Sequence, residues 1–133
     1  MNEPSIFTRI INREIPQEII YEDELCFVIP SIEPMTLGHS LVIPRVQIDH
    51  LWDVDDELYI HLYQVVKMLA EKMRSSYTYT RIGTMVEGFG VPHAHIHVYG
   101  LKDPIEKTVT DHIAHRYTAS PEELKSVADT LRF

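Results

Sequence analysis

Val91-Pro92-His93-Ala94-His95-Ile96-His97-Val98-Tyr99-Gly100 alternates imidazoles with apolar side chains. Period-two alternation is the pattern of a half-buried strand, whose successive side chains point to opposite faces. The spacing predicts a strand across all three histidines. Ala94, Ile96 and Val98 then face a core, while His93, His95 and His97 share a surface or cleft. One histidine opposite a core face is an ordinary surface residue. Three at i, i+2 and i+4 are not, because neutral imidazoles bury poorly and charged ones repel along one face.

Two chemistries use such a row. Imidazole is a common metal ligand, but at ~3.3 Å rise per residue His93 and His97 stand roughly 13 Å apart along a strand. Zn–N bonds are about 2.0–2.1 Å, so the three cannot meet on one ion. Nucleophilic catalysis fits the row better: one ring attacks while its neighbours orient it and hold spread-out phosphate oxygens.

The 133 residues suffice for one domain with a genuine core, and 44% hydrophobic with 24% charged residues is ordinary for a globular chain. A net charge of −8 speaks against nucleic-acid polymers and anionic membranes as partners. It leaves room for a small anion held by local donors. Cys26 is the only cysteine, so neither an internal disulfide nor a Cys-x-x-Cys zinc knuckle can form. That agrees with a reducing cytoplasm, the compartment expected here. The acidic N-terminus lacks the basic start of a secretion signal, and no apolar run approaches ~18–20 residues.

Outward from the histidines, Ser5 is placed to cap a short helix carrying Ile6, Phe7, Ile10 and Ile11, which Pro16 is expected to end. Ile19–Tyr21 and Leu25–Ile29 read as strands joined by an acidic turn, and Pro30 to Gly38 as a loop. His39–Ile43 is the next strand, stopped by Pro44. Asp55 or Asp53 opens the longest helix, with a core stripe of Leu58, Leu62, Val65, Val66, Leu69 and Met73. Arg81–Glu87 is strand-like. Ser120-Pro121-Glu122-Glu123 is a capping box that starts a last helix striped by Leu124, Val127, Ala128 and Leu131. His61, His112 and His115 read as solvated residues. The whole implies an α+β domain: an antiparallel sheet packed against one long and one short helix, with a C-terminal helix.

The stretch from His93 to Tyr99 resembles the His-φ-His-φ-His-φ-φ signature of the histidine triad (HIT) family. Ser5-Ile6-Phe7 through Glu14-Ile15-Pro16 is similar to that family's opening helix, and Gly38-His39-Ser40-Leu41-Val42-Ile43-Pro44-Arg45 to its Gly-His-x-Leu-Val-Ile-Pro-Lys strand. The resemblance implies a single HIT domain over 1–133, with a core of about 5–100 and an extension over 101–133. It also implies a homodimer, no cofactor or metal, and a small nucleotide substrate. The implied reaction is hydrolysis or transfer of a nucleoside monophosphate. His95 attacks the α-phosphorus and becomes transiently nucleotidylated, while His97, His93 and His39 orient it and bind phosphate oxygens.

Two departures bear on that expectation. Where many members hold the ribose with an acidic residue or Asn, this chain has Ser31, a single neutral hydroxyl. Where many carry Ala-Gly-Gln before the triad, it has Glu87-Gly88-Phe89, and Phe89 cannot donate. Glu87 there either repels polyphosphates or is a plain surface acid at a strand end, the second being the simpler reading. Phe7, Ile29, Ser31, Ile32 and Phe89 are the candidate nucleotide contacts; Ile10 occupies a comparable position but reads as core. The departures keep open a second function, a nucleotide-binding or partner-binding module with little or no turnover. A histidine metal-binding protein is a third.

Overall fold

The computed structural model describes residues 3–102 and 109–133. Its longest element is the helix Asp56–Ser76. The Asp55 carboxylate caps it by accepting from the Leu58 N–H at 2.8 Å, and Asp56 and Glu57 sit in the positive first turn. All six residues of the expected stripe, Leu58 to Met73, are buried. In chain order the helices are α1 (Ile6–Ile11), α2 (Asp56–Ser76), α3 (Val109–Ala114) and α4 (Pro121–Leu131), with a 3-10 turn at Leu51–Asp53. The strands are β1 (Tyr21–Glu22), β2 (Cys26–Pro30), β3 (Ser40–Pro44), β4 (Arg81–Met85) and β5 (Ile96–Leu101). They form one antiparallel sheet in the order β1-β2-β3-β5-β4.

Alternation along the strands divides the interior in two. Cys26, Val28, Val42, Ile96 and Val98 share a core with α2 and with Val127, Ala128 and Leu131 of α4. Phe27, Ile29, Leu41 and Ile43 point the other way, against Phe7 and Ile10 of α1. Leu41 pairs with His97 across the β3–β5 ladder, so His97 lies on the α1 side of the sheet. Gly38 delivers the chain into β3 at φ +92°, and a Cβ there would lie 2.7 Å from the Tyr77 ring.

Four elements differ from the sequence reading. The strand expected through all three histidines begins only at Ile96; His93, in a bend, and His95 precede it in irregular chain. The register explains why. Continuing the ladder past Val42↔Ile96 would set Ala94 against Pro44, which has no N–H to give. The Pro44 carbonyl is taken instead by the His93 ring, and the Ala94 N–H turns to the Ile48 carbonyl. Helix α1 stops at Ile11 rather than at Pro16. Arg13 adopts φ 65°, and the Glu14 N–H closes back on the Arg9 carbonyl. Finally β1 falls on Tyr21–Glu22 instead of Ile19–Tyr21, and α3 adds a short helix around His112, which was read only as a solvated residue. Among the described residues no helix is long and apolar enough to cross a membrane.

Candidate active site

His93 is wholly buried, and both of its ring nitrogens are occupied. Nε2 lies 2.7 Å from the Pro44 carbonyl, which only accepts, so Nε2 carries a hydrogen. Nδ1 then takes the Ser5 hydroxyl proton at 2.6 Å, while Ser5 Oγ also accepts the Thr8 N–H that starts α1. Burial pushes the His93 pKa down. One serine thus caps the helix and fixes the first histidine. The sequence reading saw only the cap.

His95 is 5% exposed, and its Nδ1 lies 2.8 Å from the His93 carbonyl. The neutral ring therefore carries its hydrogen on Nδ1 and leaves the Nε2 lone pair free; among the described residues Nε2 makes no hydrogen bond. Phe7 meets this ring edge-on at 5.0 Å, holding its plane.

His97 belongs to a relay that starts in the backbone. The Met35 N–H donates to His39 Nδ1 at 3.0 Å, so the His39 hydrogen sits on Nε2 and points to His97 Nδ1 at 2.9 Å. The His97 hydrogen is accordingly on Nε2, a buried atom with no partner among the described residues. Burial is the first cause that lowers both rings, His39 to about 3 and His97 to about 4, with the facing His97 and His95 respectively adding to it. Both are neutral near pH 7. A buried, unpartnered N–H beside a free imidazole lone pair is a donor waiting for an acceptor.

These groups open on a cavity of about 550 Å³ between α1 and the sheet. Phe7, Ile10, Ile29 and Ile32 supply its apolar lining, Ser31 a hydroxyl, and His95 and His97 its inner wall. The structure thus brings Phe7, Ile29, Ser31 and Ile32 together beside two of the triad rings. His39 and His93 stand behind that wall as supports. Phe89 is apart: it is 92% exposed and lines a second cavity, of about 470 Å³, reached from the other side of His95. Ile10 both packs in the core and lines the first cavity.

Arg116 also lines the first cavity, and sequence reasoning missed it. The chain after α3 is tied to the β2–β3 loop by the Ala119 N–H to the Ile32 carbonyl at 3.0 Å, which carries Arg116 inward. No spacing in the sequence announces this contact. His112 and His115 do not line the cavity; the His115 ring turns to the Asp111 carbonyl. His61, expected in solvent, is partly buried instead, with Nε2 2.7 Å from Asp23 Oδ2.

Among the described residues two sets of side chains have metal-ligating groups within 4.8 Å of one another: Asp23, Cys26 and His61, and Glu87, His95 and His97. Neither suits an ion well. In the first, burial pushes the Cys26 thiol up to about 12, far from the thiolate a metal takes. In the second, binding at His97 Nε2 would move the ring hydrogen to Nδ1 and reverse the relay. His39 would then aim an N–H at the Met35 N–H.

A family model described as HIT domain matches residues 12–103. An uncharacterized HIT-like protein of Synechococcus elongatus is 41% identical over 106 residues, spanning 75% of this chain and 92% of its own. The crystal structure of a Hit-like protein involved in cell-cycle regulation from Bartonella henselae superposes with a TM-score of 0.84 at 26% identity, covering 98% of this chain and 96% of that one. A HIT family hydrolase from Clostridium thermocellum superposes with a TM-score of 0.65 at 27% identity, over 82% and 99% of the two chains.

Proposed function

The chain belongs to the HIT family, and on that premise we propose that it hydrolyses or transfers the nucleoside monophosphate part of a small nucleotide through a nucleotidyl-His95 intermediate. The observation that carries this reading is the fixed tautomer of His95. Its Nδ1–H is spent on the His93 carbonyl, and its Nε2 lone pair opens on a cavity of nucleotide size.

The residues divide the work. The apolar lining takes the base, and the Ser31 hydroxyl meets the ribose. His97 Nε2–H gives the α-phosphate a hydrogen bond that exists only when substrate is bound, and Arg116 adds positive charge at the rim. With a phosphoramidate, the bridging nitrogen takes one proton from solvent. The His95 Nε2–P bond then forms as the P–N bond breaks, and that bond's electron pair stays on the departing amine. Water adds next to phosphorus, the Nε2–P pair returns to the ring, and one proton goes back to solvent.

Steady-state hydrolysis of a nucleoside phosphoramidate tests this reading. Wild type is expected to turn over and His95→Ala to lose turnover by at least about 10³-fold. Equal rates in the two proteins would remove His95 from the reaction. The run before the triad offers Glu87 and Phe89 instead of an amide donor, which favours a second reading: a nucleotide-binding module. Tight monophosphate binding by calorimetry, with no turnover of any phosphoramidate, is its signature.

A further inference from the structure

Two cavities meet at His95, and their walls differ in charge. The first is mainly apolar, with Glu33 and Glu87 in its lining and Arg116 to offset them. The second has the carboxylates of Asp49 and Glu87, the imidazoles of His50 and His95 and the rings of Trp52 and Phe89, with neither lysine nor arginine in its lining among the described residues. Glu87 lines both cavities and brings a carboxylate oxygen within 4.8 Å of a ring nitrogen of His95 and of His97. Among the described residues Glu87 has no hydrogen bond or ion pair. Asp49 faces only His50 Nε2, at 3.9 Å, too long for a hydrogen bond. Trp52 and Phe89 are 69% and 92% exposed, large rings with little packed on them.

A phosphorus atom at His95 carries two arms, the nucleoside and the leaving group. Resting on the function proposed above, with the nucleoside in the apolar cavity, the other arm falls in the second. We propose that this second cavity is a leaving-group subsite selecting cationic amines, so that the substrate class is a nucleoside phosphoramidate whose amine part bears a further ammonium group. A polyphosphate arm would bring negative charge against two carboxylates with neither lysine nor arginine beside them to offset it. An ammonium meets the reverse: the carboxylate of Glu87, that of Asp49 facing only the His50 ring at 3.9 Å, and aromatic faces that attract cations. The buried, unpartnered His97 Nε2 marks the adjoining point as built for a phosphoryl oxygen, which separates the anionic and cationic parts of one substrate by a few ångströms.

The test compares adenosine 5′-phosphoramidates of three amines of equal length, 1,6-diaminohexane, hexylamine and 6-aminohexanoate, together with diadenosine tetraphosphate. The readout is the ratio of kcat/KM values within each protein, in wild type, Glu87→Gln and Asp49→Asn. Both positions are exposed, and the ratio cancels any general effect of the substitution. Wild type is expected to favour the diamine over hexylamine by about 10-fold, with the carboxylate amide and the tetraphosphate poorer still. Each substitution should shrink the diamine preference by about 3-fold. Equal use of charged and neutral amines, preference for the tetraphosphate, or ratios unchanged in both variants would overturn the subsite. Hexylamine turnover with no charge preference would sink this inference and leave the proposed function standing. No turnover of any substrate would remove both.

Discussion

Each histidine presents different chemistry because its ring nitrogens have different partners. A carbonyl leaves His95 with a free Nε2 lone pair, His39 leaves His97 with a free Nε2–H, and Ser5 with Pro44 locks His93 behind them. Removing the His97 donor by His97→Ala is expected to lower kcat by about 10²–10³, the cost of losing one oxyanion-type hydrogen bond. The covalent adduct should still map to His95. A Ser5→Ala chain loses a helix cap worth ~1 kcal/mol and frees His93 Nδ1; a melting curve and kcat together should both fall. A normal kcat there would uncouple the cap from the site. The three triad positions were legible from spacing alone. The tautomers of His93 and His97 were not, since Pro44 and Ser5 lie 49 and 88 residues from His93, His39 lies 58 from His97, and only the fold makes them neighbours.

At the scale of elements, periodic apolar stripes carried most of the information. Helix α2 appeared with all six stripe positions buried, because nothing in it competes with the 3.6 period. Leu62→Ala, in the fully buried centre of that stripe, should cost about 2–5 kcal/mol in denaturant unfolding. A cost below ~1 kcal/mol would show that the α2 face is loosely packed. Boundaries failed where a backbone group was diverted: alternation continues through His93 and His95, yet the ladder stops at Pro44 for want of an N–H. Pattern reports which face a side chain takes, whereas ladder length depends on the partner strand. Arg116 was illegible for a related reason: the tail reaches the cavity through the backbone of Ile32, which no side-chain pattern encodes.

For the whole molecule, burying neutral histidines ties stability to pH. His39 and His97 sit at about 3 and about 4, below the ordinary 6.5, so on acidification the unfolded chain binds protons before the folded one. Stability is then fully present above about pH 6.5 and is lost as pH falls toward 4, by up to ~1.36 kcal/mol per pH unit per ring. Urea titrations should show this slope in wild type and a shallower one in His97→Asn; parallel slopes would place the acid sensitivity elsewhere. Helix α4, beyond the stretch that resembles the family, sets Val127, Ala128 and Leu131 into the α2 core. The tail is therefore structural as well as a boundary of the site, and its capping box gave the helix away in advance. The central claim is that one fixed imidazole carries the phosphorus. Rapid-quench mass spectrometry with peptide mapping, on protein mixed with a nucleoside phosphoramidate, addresses it directly. The account predicts a transient nucleoside monophosphate adduct on His95, decaying as monophosphate appears. Turnover with no adduct at any time, or an adduct on another residue, would contradict it.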